Sequence, residues 1–137
     1  MTPCKLGRIH YVSLEDHTDK TDIIRVTADW RGDGYRYDFV LINLDHHTLS
    51  CAQVHLLLYI ETPAGTLQLA LLRILKSLSR NASTRFIHAS ESTDYRFVTT
   101  QCFVRSAFVH LPAPPSYTRY IVNDLIDPDV YLRLQGQ

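Results

Sequence analysis

Hydrophobic and polar positions alternate along most of this chain, and the period is two. Across residues 6–13, Ile9 and Tyr11 fall on one side and Arg8 and His10 on the other. Residues 22–30 repeat the pattern, with Ile24, Val26, Ala28 and Trp30 set against Arg25, Thr27 and Asp29. Successive side chains of a strand point to opposite faces, so this alternation predicts strands with one buried face. Beyond Arg31-Gly32-Asp33-Gly34 it resumes over residues 35–43, with Tyr35, Tyr37, Phe39 and Leu41 opposed to Arg36 and Asp38. Glycine supplies the positive backbone angles of a tight turn, so the two runs are expected to pair as a hairpin.

Residues 51–61 put Ala52, Val54, Leu56, Leu58 and Ile60 on one face and Cys51, Gln53, His55, Leu57 and Tyr59 on the other. Thr62-Pro63-Ala64-Gly65 ends that run with strong breakers. Residues 67–78 fit two periods at once. Leu67, Leu71, Ile74, Leu75 and Leu78 have helical spacing, while Leu67, Leu69 and Leu71 alternate, and period alone does not separate the two. Further strands are expected over 85–89, 95–99, 102–111 and 120–122, with Pro112-Ala113-Pro114-Pro115 forcing an extended connection. Asp127-Pro128-Asp129 has the chemistry of a helix start, which makes 130–134 a short terminal helix. Seven to eight short, mostly antiparallel strands predict one all-β domain over residues 1–137, a small barrel or sandwich.

Composition narrows the setting. A chain of 137 residues that is 45% apolar and 20% charged can bury a core and is not disordered by composition. Its 14 basic residues balance 14 acidic ones, which argues against broad charge-driven binding of nucleic acid but leaves room for a local patch. Cys4, Cys51 and Cys102 are odd in number and widely spaced, as expected of reduced thiols in an intracellular protein, the nucleus included. The start carries no leader pattern, and no apolar run approaches the ~20 residues that span a bilayer, so no membrane partner is expected. The sequon Asn81-Ala82-Ser83 is then expected to stay unmodified, and Arg31-Gly32-Asp33 reads as turn chemistry.

The densest reactive chemistry is LDHHTLSCAQVH, residues 44–55, with Asp45, His46, His47, Cys51 and His55. Zinc takes nitrogen and sulfur ligands, but this spacing fits no finger, and adjacent histidines do not readily hold one ion. Cys51 and His55 sit two pleats apart on one strand, about 13 Å, too far for a nucleophile and its base. Asp124, Asp127 and Asp129 suggest a magnesium site, yet capping and turn formation account for them. No catalysis, metal or cofactor is therefore expected, and a small-molecule ligand is not favoured. Two binding chemistries remain. Trp30, Tyr35 and Tyr37, with Tyr11 and Tyr59 as possible neighbours, have the makings of an aromatic site for a protein or peptide. Arg73, Lys76, Arg80, Arg85 and Arg96, beside Phe86 and Tyr95, are the ingredients of a nucleic-acid platform. The first is the expected function and the second the alternative, with a metal-dependent or Cys-based activity as the weakest reading.

Four stretches taken in order carry a resemblance: YRYDFVLINL (35–44), CAQVHLLLYI (51–60), FVTTQCFVRSAFVHLPAP (97–114) and RYIVNDLIDPDVYLRL (119–134). Together they resemble the C-terminal β-rich region of fungal, Plavaka-type transposase-like proteins, with the tail as the most specific part. Ser106 and the His46-His47 turn depart from that pattern. The resemblance implies that residues 67–78 are strand and that the RNase H-like catalytic core lies outside this piece. It also implies an accessory barrel similar to the bromo-adjacent-homology barrels that read chromatin, and it carries no catalytic residue onto these positions.

Overall fold

The computed structural model describes residues 2–27, 36–45, 48–112 and 119–135. The expected tight turn at 31–34, together with Ala28, Trp30, Tyr35, His46, His47 and most of the proline-rich connection, lies outside the described residues. The described chain forms thirteen strands: β1 (Thr2–Cys4), β2 (Leu6–Val12), β3 (Asp19–Thr27), β4 (Arg36–Tyr37), β5 (Phe39–Asn43), β6 (Leu49–Thr62) and β7 (Gly65–Ile74), followed by β8 (Lys76–Arg80), β9 (Ile87–Ser90), β10 (Tyr95–Thr99), β11 (Phe103–Ala107), β12 (Val109–His110) and β13 (Arg119–Val122). Helix α1 (Pro128–Leu134) ends it. The all-β expectation holds, but the count of seven to eight strands is too low. Runs that look continuous in the sequence turn corners at Asp38, Leu75 and Phe108, and β1 is too short to leave a pattern. Residues 67–78 are strand rather than helix, divided between β7 and β8.

All ladders are antiparallel. They form a six-stranded sheet ordered β10-β7-β6-β5-β11 with β1 alongside β6, a four-stranded sheet β12-β13-β9-β8, and a three-stranded sheet β2-β3-β4. The ends of the six-stranded order, β10 and β11, do not pair with each other, so no barrel closes among the described residues. The large sheet is instead a middle layer. Val40, Ile42, Ala52 and Val54 pack with Ile9, Ile24 and Val26 of the three-stranded sheet. Their strand neighbours Phe39, Leu41 and Cys51 pack with Ile87, Ala89, Tyr120 and Val122 of the four-stranded sheet and with Val130 and Leu134 of α1. Alternate residues of one strand feed opposite cores, which is why Phe39-Val40-Leu41-Ile42 is apolar without interruption.

Asp38 makes the first corner. Its amide donates to the carbonyl of Arg25 (3.0 Å), its carboxylate accepts the amide of Arg25 (2.7 Å), and its carbonyl accepts the amide of Val54 (2.9 Å). The hairpin of β3 and β4 therefore holds only two described residue pairs, Val26 with Tyr37 and Thr27 with Arg36. The chain then leaves β3 for β6, which pairs with β5 from Phe39 to Asn43.

One buried cation ties the outer layers together across β11. Arg105, 4% exposed, donates to Asp22 (2.7 and 3.2 Å), Asp127 (2.9 Å) and Asp129 (2.7 Å), and its guanidinium lies 3.9 Å from the centre of the Tyr11 ring. Asp129 also accepts from Arg133 (2.7 Å) and from the amide of Leu14 (2.6 Å), and Arg133 reaches the carbonyl of Val12. Burial acts against charge on Asp127 and Asp129, but the hydrogen bonds from Arg105, Arg133 and backbone amides prevail and hold both below the ordinary carboxylate range. Asp127 also caps α1 by accepting from the amide of Val130 (3.2 Å), as its sequence position predicts.

Candidate binding surface

The ladder between β6 and β7 slips by one residue at His55. Val54 pairs with Leu72 and Leu56 with Leu71, so His55 is the extra residue of a β-bulge. The expected face assignment along 51–61 is therefore reversed beyond that point. Leu57, fully buried, joins Ala52 and Val54 in the first core, while Leu56, Leu58 and Ile60 share the face of Cys51 and Gln53. A bulge adds one residue without leaving any mark in the alternation, and one residue inverts a period of two.

On that face the register aligns Leu56 with Leu71, Leu58 with Leu69 and Ile60 with Leu67, and one strand further Phe97 with Leu71 and Tyr95 with Arg73. Directly paired residues share a face, so Leu56, Leu58, Ile60, Leu67, Leu69, Leu71, Tyr95 and Phe97 make one apolar surface. None of the eight belongs to either packed cluster, and of them only Leu58, 9% exposed, is buried. Phe97 is 61% exposed, Tyr95 50% and Leu67 41%. Contiguous apolar surface of this kind makes this face the candidate contact site.

An aromatic row borders it. The His55 ring stacks on Tyr37 with centroids 5.6 Å apart and meets Tyr95 edge-on at 5.7 Å. Burial, reinforced by the nearby Arg73 guanidinium, holds the His55 imidazole below its ordinary value, so it is neutral at pH 7. Its Nε2 is buried with no described partner, as is Nε of Arg73. Arg73 spans from the middle sheet to the four-stranded sheet, donating to Gln53 (3.1 Å), to the hydroxyl of Tyr120 (2.8 Å) and to the carboxylate of Glu91. Of the expected aromatic set, Tyr37 is thus in a ring cluster, but with His55 and Tyr95. Trp30 and Tyr35 lie outside the described residues, Tyr11 belongs to Arg105, and Tyr59 is exposed on the opposite face of β6.

The expected cationic platform is divided. Arg73 pairs with Glu91, Arg80 with the fully buried Asp124 (2.7 Å) and Arg96 with Asp94 (3.0 Å). Arg73 and Lys76 line one hollow of about 520 Å³ with Ser90, Glu91, Ser92, Thr93 and Tyr95. Arg80 and Arg85 line a second of about 400 Å³ with Leu125 and Tyr131. Arg96 sits across from Leu72, on the opposite face of the sheet to Arg73. Among the described residues, Lys76 and Arg85 are the members of this set without an ion pair. DNA titrated at low ionic strength is accordingly expected to show a log–log salt slope no steeper than about −2, the value for two displaced counterions. A slope of about −4 or steeper would restore the platform.

The histidine–cysteine stretch of residues 44–55 does not assemble among the described residues. Cys51 is fully buried against the second core, where burial pushes its thiol up to about 12, which removes it as a nucleophile at neutral pH. No three of the described His, Cys, Asp and Glu residues are placed to hold one metal ion. Asn81 uses its side-chain oxygen to accept the amides of Ser83 and Thr84, both at 2.9 Å, as a turn residue does. No described helix is long and apolar enough to cross a membrane.

Set against protein-family models, curated proteins and solved structures, the chain matches none of them. Its function is therefore argued from its own surfaces. The surface that sequence reasoning missed was recoverable only in part: Tyr95 and Phe97 alternate visibly on a short strand, but the bulge that turns Leu56, Leu58 and Ile60 toward them does not show.

Proposed function

We propose that this chain is a non-catalytic interaction module that binds a protein or peptide through the apolar face of β6, β7 and β10. The observation that carries the reading is the apolar face from Leu56 to Phe97, seven of whose eight residues stay out of the buried core, Leu58 being the exception. On the resemblance to transposase-like proteins, the module serves a larger mobile-element polypeptide whose chemistry is performed elsewhere, and a chromatin peptide is one partner of suitable kind.

Quantitative co-purification from cells that express the protein tests this. The double variant Leu67→Glu, Phe97→Glu is expected to lose a stoichiometric partner that the parent retains. Its unfolding midpoint should stay put, because exposed substitutions away from packed groups shift stability by no more than about 0.5 kcal/mol. A well-folded variant that keeps every partner of the parent overturns the proposal.

A further inference from the structure

We infer that the partner is an extended segment that adds to β10 as an antiparallel strand and ends in a free carboxylate beside Lys76. This rests on the reading of the apolar face as the contact surface and names what lies against it. Among the described residues, β10 is the outermost strand of its sheet, so its outer backbone groups are without a ladder partner. The strand carries no proline, and its one charge, Arg96, is tied to Asp94 on the face away from the apolar surface. An edge of this kind accepts another strand, with backbone hydrogen bonds giving affinity and alternate side chains giving selectivity.

The direction of the added strand follows from the fold. Every described ladder is antiparallel, and antiparallel pairing is slightly the more stable. A strand laid antiparallel on Tyr95–Thr99 has its C-terminal end next to Tyr95. There the hollow of about 520 Å³ opens, lined by Lys76, Arg73 and the hydroxyl residues Ser90, Ser92 and Thr93. The Ser92 hydroxyl already donates to the Ile74 carbonyl, which leaves the Ser90 and Thr93 hydroxyls and an ammonium without a described ion pair to suit a carboxylate. Glu91 already satisfies Arg73 with a carboxylate and is itself half exposed, so Lys76 is the cation left for the incoming group. Every second side chain of the added strand would continue the apolar surface beyond Phe97 and Tyr95.

The probe is an N-acetylated pentapeptide alternating leucine and threonine, with leucine first and last, prepared as the free acid and as the C-terminal amide. It is titrated into the intact ¹⁵N-labelled chain. The acid is expected to shift the amides of residues 95–99 and to bind at least tenfold tighter than the amide. Lys76→Gln should abolish that difference while leaving amide binding unchanged. Equal binding of acid and amide overturns the carboxylate inference and leaves the interaction surface standing. No shift on β10 with either peptide, or concentration-dependent self-association that protects these same amides, overturns strand addition itself. Loss of the co-purified partner from the Leu67→Glu, Phe97→Glu variant is scored separately.

Discussion

Arg105→Met is expected to lower stability by about 3–5 kcal/mol, the range for breaking a buried ion network by removing one partner. A domain of this size has roughly 5–15 kcal/mol in total, so the variant should sit near the edge of folding. The cause is specific. Without the guanidinium, Asp22, Asp127 and Asp129 face one another with Arg133 as the one basic partner left on Asp129. The Tyr11 ring also loses the cation lying 3.9 Å from its centre. The contrasting variant is Arg96→Met. It breaks an exposed pair with Asp94, and it should cost at most about 1 kcal/mol. Urea midpoints at one pH measure both. Equal small losses would mean that the layers are held by apolar packing alone.

The same cluster sets a pH dependence whose sign is fixed. Asp127 and Asp129 have folded values below their unfolded ones, so the unfolded chain binds more protons in the interval between them. Their stabilisation is complete above the unfolded carboxylate range near 4 and is lost as pH falls through the lower folded values. In Arg105→Met the uncompensated carboxylates repel, and protonation relieves the repulsion. The gap between parent and variant is therefore expected to be widest at neutral pH and to shrink below about pH 4. A gap that stays constant down to pH 3 would contradict this.

Leu57→Ala is expected to cost about 2–5 kcal/mol and Leu56→Ala less than about 1 kcal/mol, an order opposite to the one that unbroken alternation gives. Leu57 is fully buried beneath β2, where a Cβ built on Gly7 would come within 3.2 Å of its Cδ1. Leu56 belongs to the open face. The bulge makes a further distinction. Deleting His55 leaves Val54 opposite Leu72, Leu56 opposite Leu71 and Leu57 opposite Ala70, so the ladder becomes regular and every face is kept. The deletion should therefore fold, losing the ring row with Tyr37 and Tyr95 but not the core. Denaturant midpoints of the three variants test the register directly. Leu56→Ala costing more than Leu57→Ala would remove the bulge from the structure.

Local signals were read well where local physics decides. The strand over 95–99 has the bounds that its alternation suggested, and α1 begins at the capping aspartate Asp127. Where distant residues decide, the local pattern misleads in identifiable ways. Over Phe39 to Ile42 the alternation assigns Phe39 and Leu41 to one face and leaves Val40 and Ile42 unplaced, because a strand buried on both sides has no polar position to reveal it. Arg73 and Arg80 read as parts of one platform because their partners, Glu91 and Asp124, lie 18 and 44 residues away, whereas Arg96 is paired locally with Asp94.

By itself the sequence determined an antiparallel β protein with its helix at the C-terminus, through alternation, breakers and caps, all of which act within a few residues. The tertiary structure alone decided which side of each strand is inside, since one unpaired residue at His55 inverts the faces and two packed layers bury both. It also decided which charges remain without a partner and which leucines stay outside the core. Those are matters of what lies across a ladder or a layer, and nothing along the chain encodes them locally.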